Sequence, residues 1–317
     1  MQDNIYTEIT GMPMINTKGI EHLTVNFVDD STNLIITKDP TKLQTYLNGF
    51  YILLQKVYNT NKLIINQEKT KLMLICNNRN RKITRGIQMY AGKHRMKQVD
   101  TVKVLGYKIQ SNLHNDAQVN KTIANINHRI FSMKKLGNKT KFETRQTLAK
   151  AIIIGKLNYT LPLHANSTKL QLQKLNTLIT KTCKAIIGSP CNRWNTIKMT
   201  TKCKLRTIYQ LINEQGLYYI HKIQATKTPT SLYKLYNIND NTRPKLNLRP
   251  IYNPKSIRLQ NSLFYKYSEL YTEVPEQIKQ IQPLTFAKYS IRDHIDETYD
   301  PFEVPHINNN NTSTDSE

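Results

Sequence analysis

The hydrophobic pattern of this sequence changes once along its length, near residue 115, and no other feature limits the fold as much. Before that point apolar and β-branched residues come in short runs separated by turn formers, as in strands. After it they recur at three- and four-residue intervals over long stretches, as in amphipathic helices. A chain patterned this way is predicted to be α+β, with strands and one helix in its first third and a helical layer afterwards.

Residues 23–36 read Leu-Thr-Val-Asn-Phe-Val-Asp-Asp-Ser-Thr-Asn-Leu-Ile-Ile, two β-rich runs around Asp29, Asp30 and Ser31. They predict a hairpin with two carboxylates at its tip. Asp39 before Pro40 is a cap followed by a first-turn proline. Leu43, Leu47, Phe50, Leu54, Val57 and Tyr58 then keep helical spacing, which predicts a helix over 40–59. Short apolar runs at 63–65, 72–76, 87–90 and 102–109 predict further strands, with Ala91-Gly92 as a hairpin turn. Beyond 115, Val119, Ile123, Ile126, Ile130 and Met133 form one stripe, and helices are expected over 141–157, 167–187 and 204–225. Gly188 and Pro190 would end the second of these three. From about residue 226 the chain is rich in Pro, Asn and Thr and poor in apolar surface. A poorly ordered basic tail with a disordered end is expected over 226–317.

The 317 residues carry 46 Lys and Arg against 22 Asp and Glu, a net charge of +24 that a polyanion would relieve. Hydrophobic residues at 38 % and charged residues at 21 % fit a globular chain. The longest uninterrupted apolar stretches, such as 151–154, fall far short of the roughly 18 to 20 residues of a membrane span, so no membrane partner is expected. The first residues lack the basic start and apolar run of a secretory signal, and an intracellular protein is expected. Cys76, Cys183, Cys191 and Cys203 contain no C-x-x-C pair, which argues for reduced thiols and against zinc. Trp194, the single tryptophan, follows Arg193 in a loop, where it could anchor a helix junction or stack on a base.

Adjacent carboxylates at a hairpin tip can hold Mg²⁺ against nucleotide phosphates, although an Asp-Asp pair also makes a plain turn. The surrounding order distinguishes the two. Phe27-Val28-Asp29-Asp30 sits in a β-hairpin and is followed by a helix, by Asn66-Gln67-Glu68-Lys69-Thr70 and by Leu105-Gly106-Tyr107. This succession resembles the reverse transcriptases of non-LTR (LINE-type) retrotransposons over roughly residues 1–225. The resemblance implies that Asp29 and Asp30 are the metal-holding carboxylates of palm motif C and that Lys69 is the motif D lysine that protonates pyrophosphate. It also implies that Leu105, Gly106 and Tyr107 form the primer grip of motif E. By the same resemblance, residues 1–112 are a partial antiparallel palm and 113–225 a helical thumb and connection. Lys121, Arg129, Lys134, Lys135, Arg145 and Lys150 would contact an RNA or DNA primer–template, with Mg²⁺ or Mn²⁺ as cofactor.

The sequence departs from the family where two-metal chemistry needs a second acidic strand. Asp3, Glu8 and Glu21 precede the hairpin, but nothing there resembles motif A or the Gln-Gly turn of motif B, and residues 4–10 look like the end of the palm helix after motif B. The expectation is therefore a truncated reverse transcriptase-like chain, inactive alone, that retains nucleic-acid binding. The alternatives are a non-catalytic nucleic-acid-binding protein and a subunit completed by another polypeptide that carries motifs A and B.

Overall fold

The computed structural model describes residues 19–27, 30–76, 86–91, 94–188, 194–233, 236–237, 249–250, 260 and 262–303. The chain is mixed α+β and divides into two compact units, Met1–Ala117 and Gln118–Glu317.

In the first unit β1 (Ile20–Phe27) and β2 (Asp30–Thr37) pair antiparallel from Ile20 opposite Thr37 to Phe27 opposite Asp30. Val28 and Asp29 connect them and lie outside the described residues. The helix α1 (Pro40–Thr60) begins where expected, because the Asp39 carboxylate accepts from the Thr41 N–H at 3.0 Å and Pro40 needs no donor partner in the first turn. Its Leu43 and Leu47 join a small core with Tyr51, Leu72, Ile87, Met89 and Met96. The face differs from the expected one in that Tyr51 occupies the centre, while Phe50 stands edge-on to His22 at 4.5 Å between ring centroids. The amide of Gln44 bonds both the N–H and the C=O of Gln88 and ties the helix to that segment.

The remaining strands of this unit are short. β3 (Lys71–Leu72) pairs parallel with β6 (Lys97–Gln98), β4 (Tyr90–Ala91) pairs with β5 (His94–Arg95), and β7 (Thr101–Val104) pairs with β8 (Tyr107–Gln110). Residues 63–65 form no strand, and the Gly92 of the expected turn lies outside the described residues. Among the described residues these pairs stay separate two-stranded sheets, one of them parallel, where a partial antiparallel palm sheet was expected. Strands of two to four residues satisfy too few backbone groups to recruit a third neighbour.

The second unit is helical. α2 (Asp116–Leu136) buries Val119, Ile126, Ile130 and Met133, the expected stripe. α3 (Phe142–Leu148), a π-helical segment (Ala149–Ile154) and α4 (Gly155–Asn158) follow without a break. α5 (Lys169–Ile187) starts with a Thr168–Gln171 capping box and ends at Gly188, whose φ of 74° suits a residue without a side chain. α6 (Thr196–Cys203) is capped by Asn195. The helix expected over 204–225 begins later, as α7 (Ile208–Thr226), because Thr207 and Gln210 form a second capping box.

The expected poorly ordered tail is corrected over 262–303. There α8 (Leu263–Glu273), α9 (Glu276–Lys279) and α10 (Leu284–Thr298) form, and α8 and α10 pack on α7. Tyr267, Leu270, Tyr271, Ile291 and Ile295 belong to the same core as Ile212, Leu217 and Ile220. The apolar surface that seemed missing comes from tyrosines whose hydroxyls find partners. Tyr267 Oη donates to Asn213 Oδ1 at 3.0 Å, and Tyr271 Oη and His221 Nδ1 share a 2.9 Å hydrogen bond. The expected disordered end, 304–317, lies outside the described residues. No described helix is long and apolar enough to cross a membrane.

Two measurements check this packing. A Cβ on Gly216 would meet the Tyr267 ring at 2.5 Å, so Gly216→Ala should lower stability by about 1–3 kcal/mol despite alanine's better helix propensity. An unchanged urea midpoint would show that α8 is not seated there. His164 is buried, and burial pushes its imidazole down to about 4 from an ordinary 6.5. The unfolded chain takes up this proton first as pH falls, so the contribution is full above pH 6.5 and is lost towards pH 4, by about 3 kcal/mol. Urea unfolding at pH 7 and pH 4 should differ less in His164→Gln than in the parent chain.

Candidate functional site

The hairpin that would carry the acids is held from one face. His22 Nε2 donates to Asn33 Oδ1 at 3.1 Å, Thr24 Oγ1 donates to the same oxygen at 2.7 Å, and His22 Nδ1 bonds the Tyr46 hydroxyl at 2.9 Å. Burial lowers the His22 pKa, so near neutral pH the ring is uncharged and accepts on one nitrogen while donating from the other. The opposite face exposes Leu23, Val25, Phe27, Leu34 and Ile36. Asp30 is exposed at the first position of β2, and Asp29, the firmer of the two expected metal ligands, lies outside the described residues.

Lys69 is exposed on a turn organised by Asn66. Asn66 Oδ1 accepts from the Lys69 N–H at 3.0 Å, and the Asn66 carbonyl accepts from the Thr70 hydroxyl at 2.7 Å. This explains the box physically, since the asparagine and threonine fix the backbone on either side of the lysine. Leu105 and Gly106, with φ of 46° and 87°, are the two central residues between Val104 and its partner Tyr107, the geometry of a type I′ hairpin turn. Leu105 is a branched side chain in the left-handed region and is exposed. Tyr107 is half-buried, donates to Asn115 Oδ1 at 3.0 Å, and has its phenol pushed up to about 12 by burial.

Asp30 offers the hard oxygen that Mg²⁺ prefers, but among the described residues no group of three or more His, Cys, Asp and Glu side chains converges, and no ion pair joins Asp30 to Lys69. The described residues therefore do not complete a two-metal site, and no catalytic step follows from them.

The expected nucleic-acid contacts divide into two groups. Lys134, Lys135 and Lys150 are exposed, with the Lys135 ammonium 4.8 Å from the Phe131 ring centroid, and Lys121 is half-buried. The two arginines are engaged internally. Arg129 Nη1 donates to the Ile152 carbonyl of the π segment at 2.7 Å. Arg145 is buried, and its guanidinium donates to the carbonyls of Gly137, Thr140, Ile186 and Ile187 at 2.6–3.4 Å. It closes the C-terminal end of α5 onto the loop before α3, which corrects its assignment as a phosphate contact. Cys183 and Cys203 are buried thiols in contact, with Cys203 Sγ 3.7 Å from the Cys183 carbonyl, and Cys191 lies outside the described residues.

A stronger signal was readable and was missed. Residues 117–213 hold 18 Lys and Arg and a single acid, Glu143, which is +17 of the chain's +24. Lys139, Lys141, Lys156, Lys174, Lys181, Lys184, Lys198, Lys202 and Lys204 are all exposed on this unit. Comparison of the chain with protein-family models, with curated proteins and with solved structures finds no match.

Proposed function

We propose that the first unit carries the second half of a reverse-transcriptase-type palm and the second unit its thumb, and that the chain binds primer–template nucleic acid without completing polymerisation by itself. The observation that supports this reading is the hairpin register, in which Phe27 and Asp30, the two ends of the acidic box, pair with each other at the end of the two strands. The Asn66-organised turn with its exposed Lys69 and the type I′ turn at Leu105-Gly106 follow in the family's order. Asp29, Asp30 and Lys69 would act at the reacting phosphates and Leu105, Gly106 and Tyr107 at the primer end, with Mg²⁺ or Mn²⁺. Lys121, Lys134, Lys135 and Lys150 would track the duplex backbone. The acid-poor helical unit supports a second reading, a non-catalytic binding protein, and a separate chain with motifs A and B would make the third, a complemented enzyme.

Binding to a primer–template duplex should be indifferent to sequence and should weaken steeply with salt, because each neutralised phosphate releases counterions. A filter-binding titration at two salt concentrations checks this, and no binding at low salt would sink the polymerase and binding-protein readings together. Residues 1–317 with Mg²⁺, primer–template and nucleotides should give no primer extension, since positioning by metals held from two strands supplies much of phosphoryl-transfer catalysis. Extension that disappears in Asp29→Ala would show that an acid within this chain completes the site. Extension gained only on adding a polypeptide with motifs A and B would favour the complemented enzyme.

A further inference from the structure

The short helix α6 holds two lysines over aromatic rings on a face that the duplex reading does not use. Lys198 Nζ lies 4.9 Å from the Trp194 ring centroid, and Lys202 Nζ lies 5.8 Å from that of Phe142. Both rings are half-buried against the core, so they are fixed, whereas both lysines are exposed. At i and i+4 the lysines share a face, about 6 Å apart along the axis. Exposed Lys141 precedes Phe142, and exposed Lys204 follows α6. Gln146 Nε2 donates to the Cys203 carbonyl at 2.6 Å, which locks α3 to the last turn of α6.

Two ammonium groups thus lie over two rings, with exposed Lys141 and Lys204 next to them in the chain, and the one acid in residues 117–213, Glu143, forms no ion pair with any of the four. A merely solvated helix face interleaves both signs of charge; this one repels itself until an anion is supplied. A row of phosphates supplies it. The rings add a requirement that phosphates alone do not meet, a flat partner, and only an unpaired strand exposes base faces. Resting on the nucleic-acid reading above, we propose that this face binds single-stranded RNA or DNA, with phosphates on Lys141, Lys198, Lys202 and Lys204 and a base against Trp194.

Trp194 is the single tryptophan among 18 tyrosines, so fluorescence excited at the red edge of the indole band, where tyrosine does not absorb, reports on this face alone. Titration at low salt with an oligo-uridine or oligo-thymidine of about 12 nucleotides should quench it saturably, and a blunt duplex of the same length should not. K198E/K202E should weaken single-strand binding about tenfold and leave duplex binding, followed by anisotropy, within about threefold. K198Q/K202Q, with folding checked by circular dichroism, should weaken it in the same direction. Repeating the titration with oligo-deoxyuridine, which differs from oligo-uridine in the sugar alone, tells which sugar is preferred. Single-strand binding with an unchanged Trp194 signal, equal quenching by the duplex, or full affinity in both double variants would overturn this inference and leave the duplex reading standing. Absence of binding to any nucleic acid would overturn both.

Discussion

Helix α7 leaves almost no side to water. Leu211, Ile212, Asn213, Glu214, Gly216, Leu217, Ile220 and His221 are all buried, and a helix apolar on one stripe alone would not need that much cover. The polar groups among them set the terms of the packing. The Glu214 carboxylate receives both arms of Arg292 at 2.8 and 3.2 Å, with Arg206 at 3.6 Å and Lys288 at 4.0 Å. Arg206 reaches on to Asp296 at 2.5 Å. Glu214 raises the Arg292 pKa, while burial lowers that of Arg206, so the first cation is the one that Glu214 holds most firmly. A buried carboxylate stripped of its partners costs on the order of 3–5 kcal/mol, so α10 is bound to the one position on α7 that places Arg292 beside Glu214. Asn213 and His221 do the same for α8 through Tyr267 and Tyr271.

The sequence was legible where its signals were local. Asp39-Pro40, the Val119-to-Met133 stripe and Gly188 each marked an element that the structure contains. The later start of α7 was also written locally, in Thr207 and Gln210, and was passed over because the apolar spacing continues through it. The packing of α8 was not legible. Its tyrosines read as polar in a Pro- and Asn-rich region, and their hydroxyl partners lie 54 and 50 residues away. Arg145 misleads for a related reason. Charge is read from composition, but whether a guanidinium faces phosphates or backbone carbonyls depends on which loops meet around it. Of the candidate site, the Asn66 turn is written locally in Asn66 and Thr70. The Leu105-Gly106 turn breaks the run at 102–109 that reads as a single strand, because its only local sign is Gly106. The lysines over Trp194 and Phe142 required the fold of α3 against α6.

The hairpin inverts the usual rule for a half-buried strand pair, and the inversion bears on the acids. An apolar inner face would specify register through burial, because a slip by one residue turns every side chain over. Here the inner face carries Ile35, packed against the small core, beside His22, Thr24 and Asn33, which are bonded to one another and to Tyr46, while Leu23, Val25, Phe27, Leu34 and Ile36 are turned outward. Directional bonds therefore join the burial of Ile35 in holding the register. Sliding β2 by one residue would carry Asn33 away from both His22 Nε2 and the Thr24 hydroxyl and leave those donors under the helix without their acceptor. The position of Asp30 opposite Phe27 is thus enforced three pairs along the strands at Thr24 and Asn33 and five pairs along at His22, whose pKa burial lowers, rather than at the acidic tip itself. Two adjacent carboxylates at a bare turn would repel each other and favour a looser connection. A register locked from a distance removes that freedom and holds Asp30, exposed at the first position of β2, opposite Phe27.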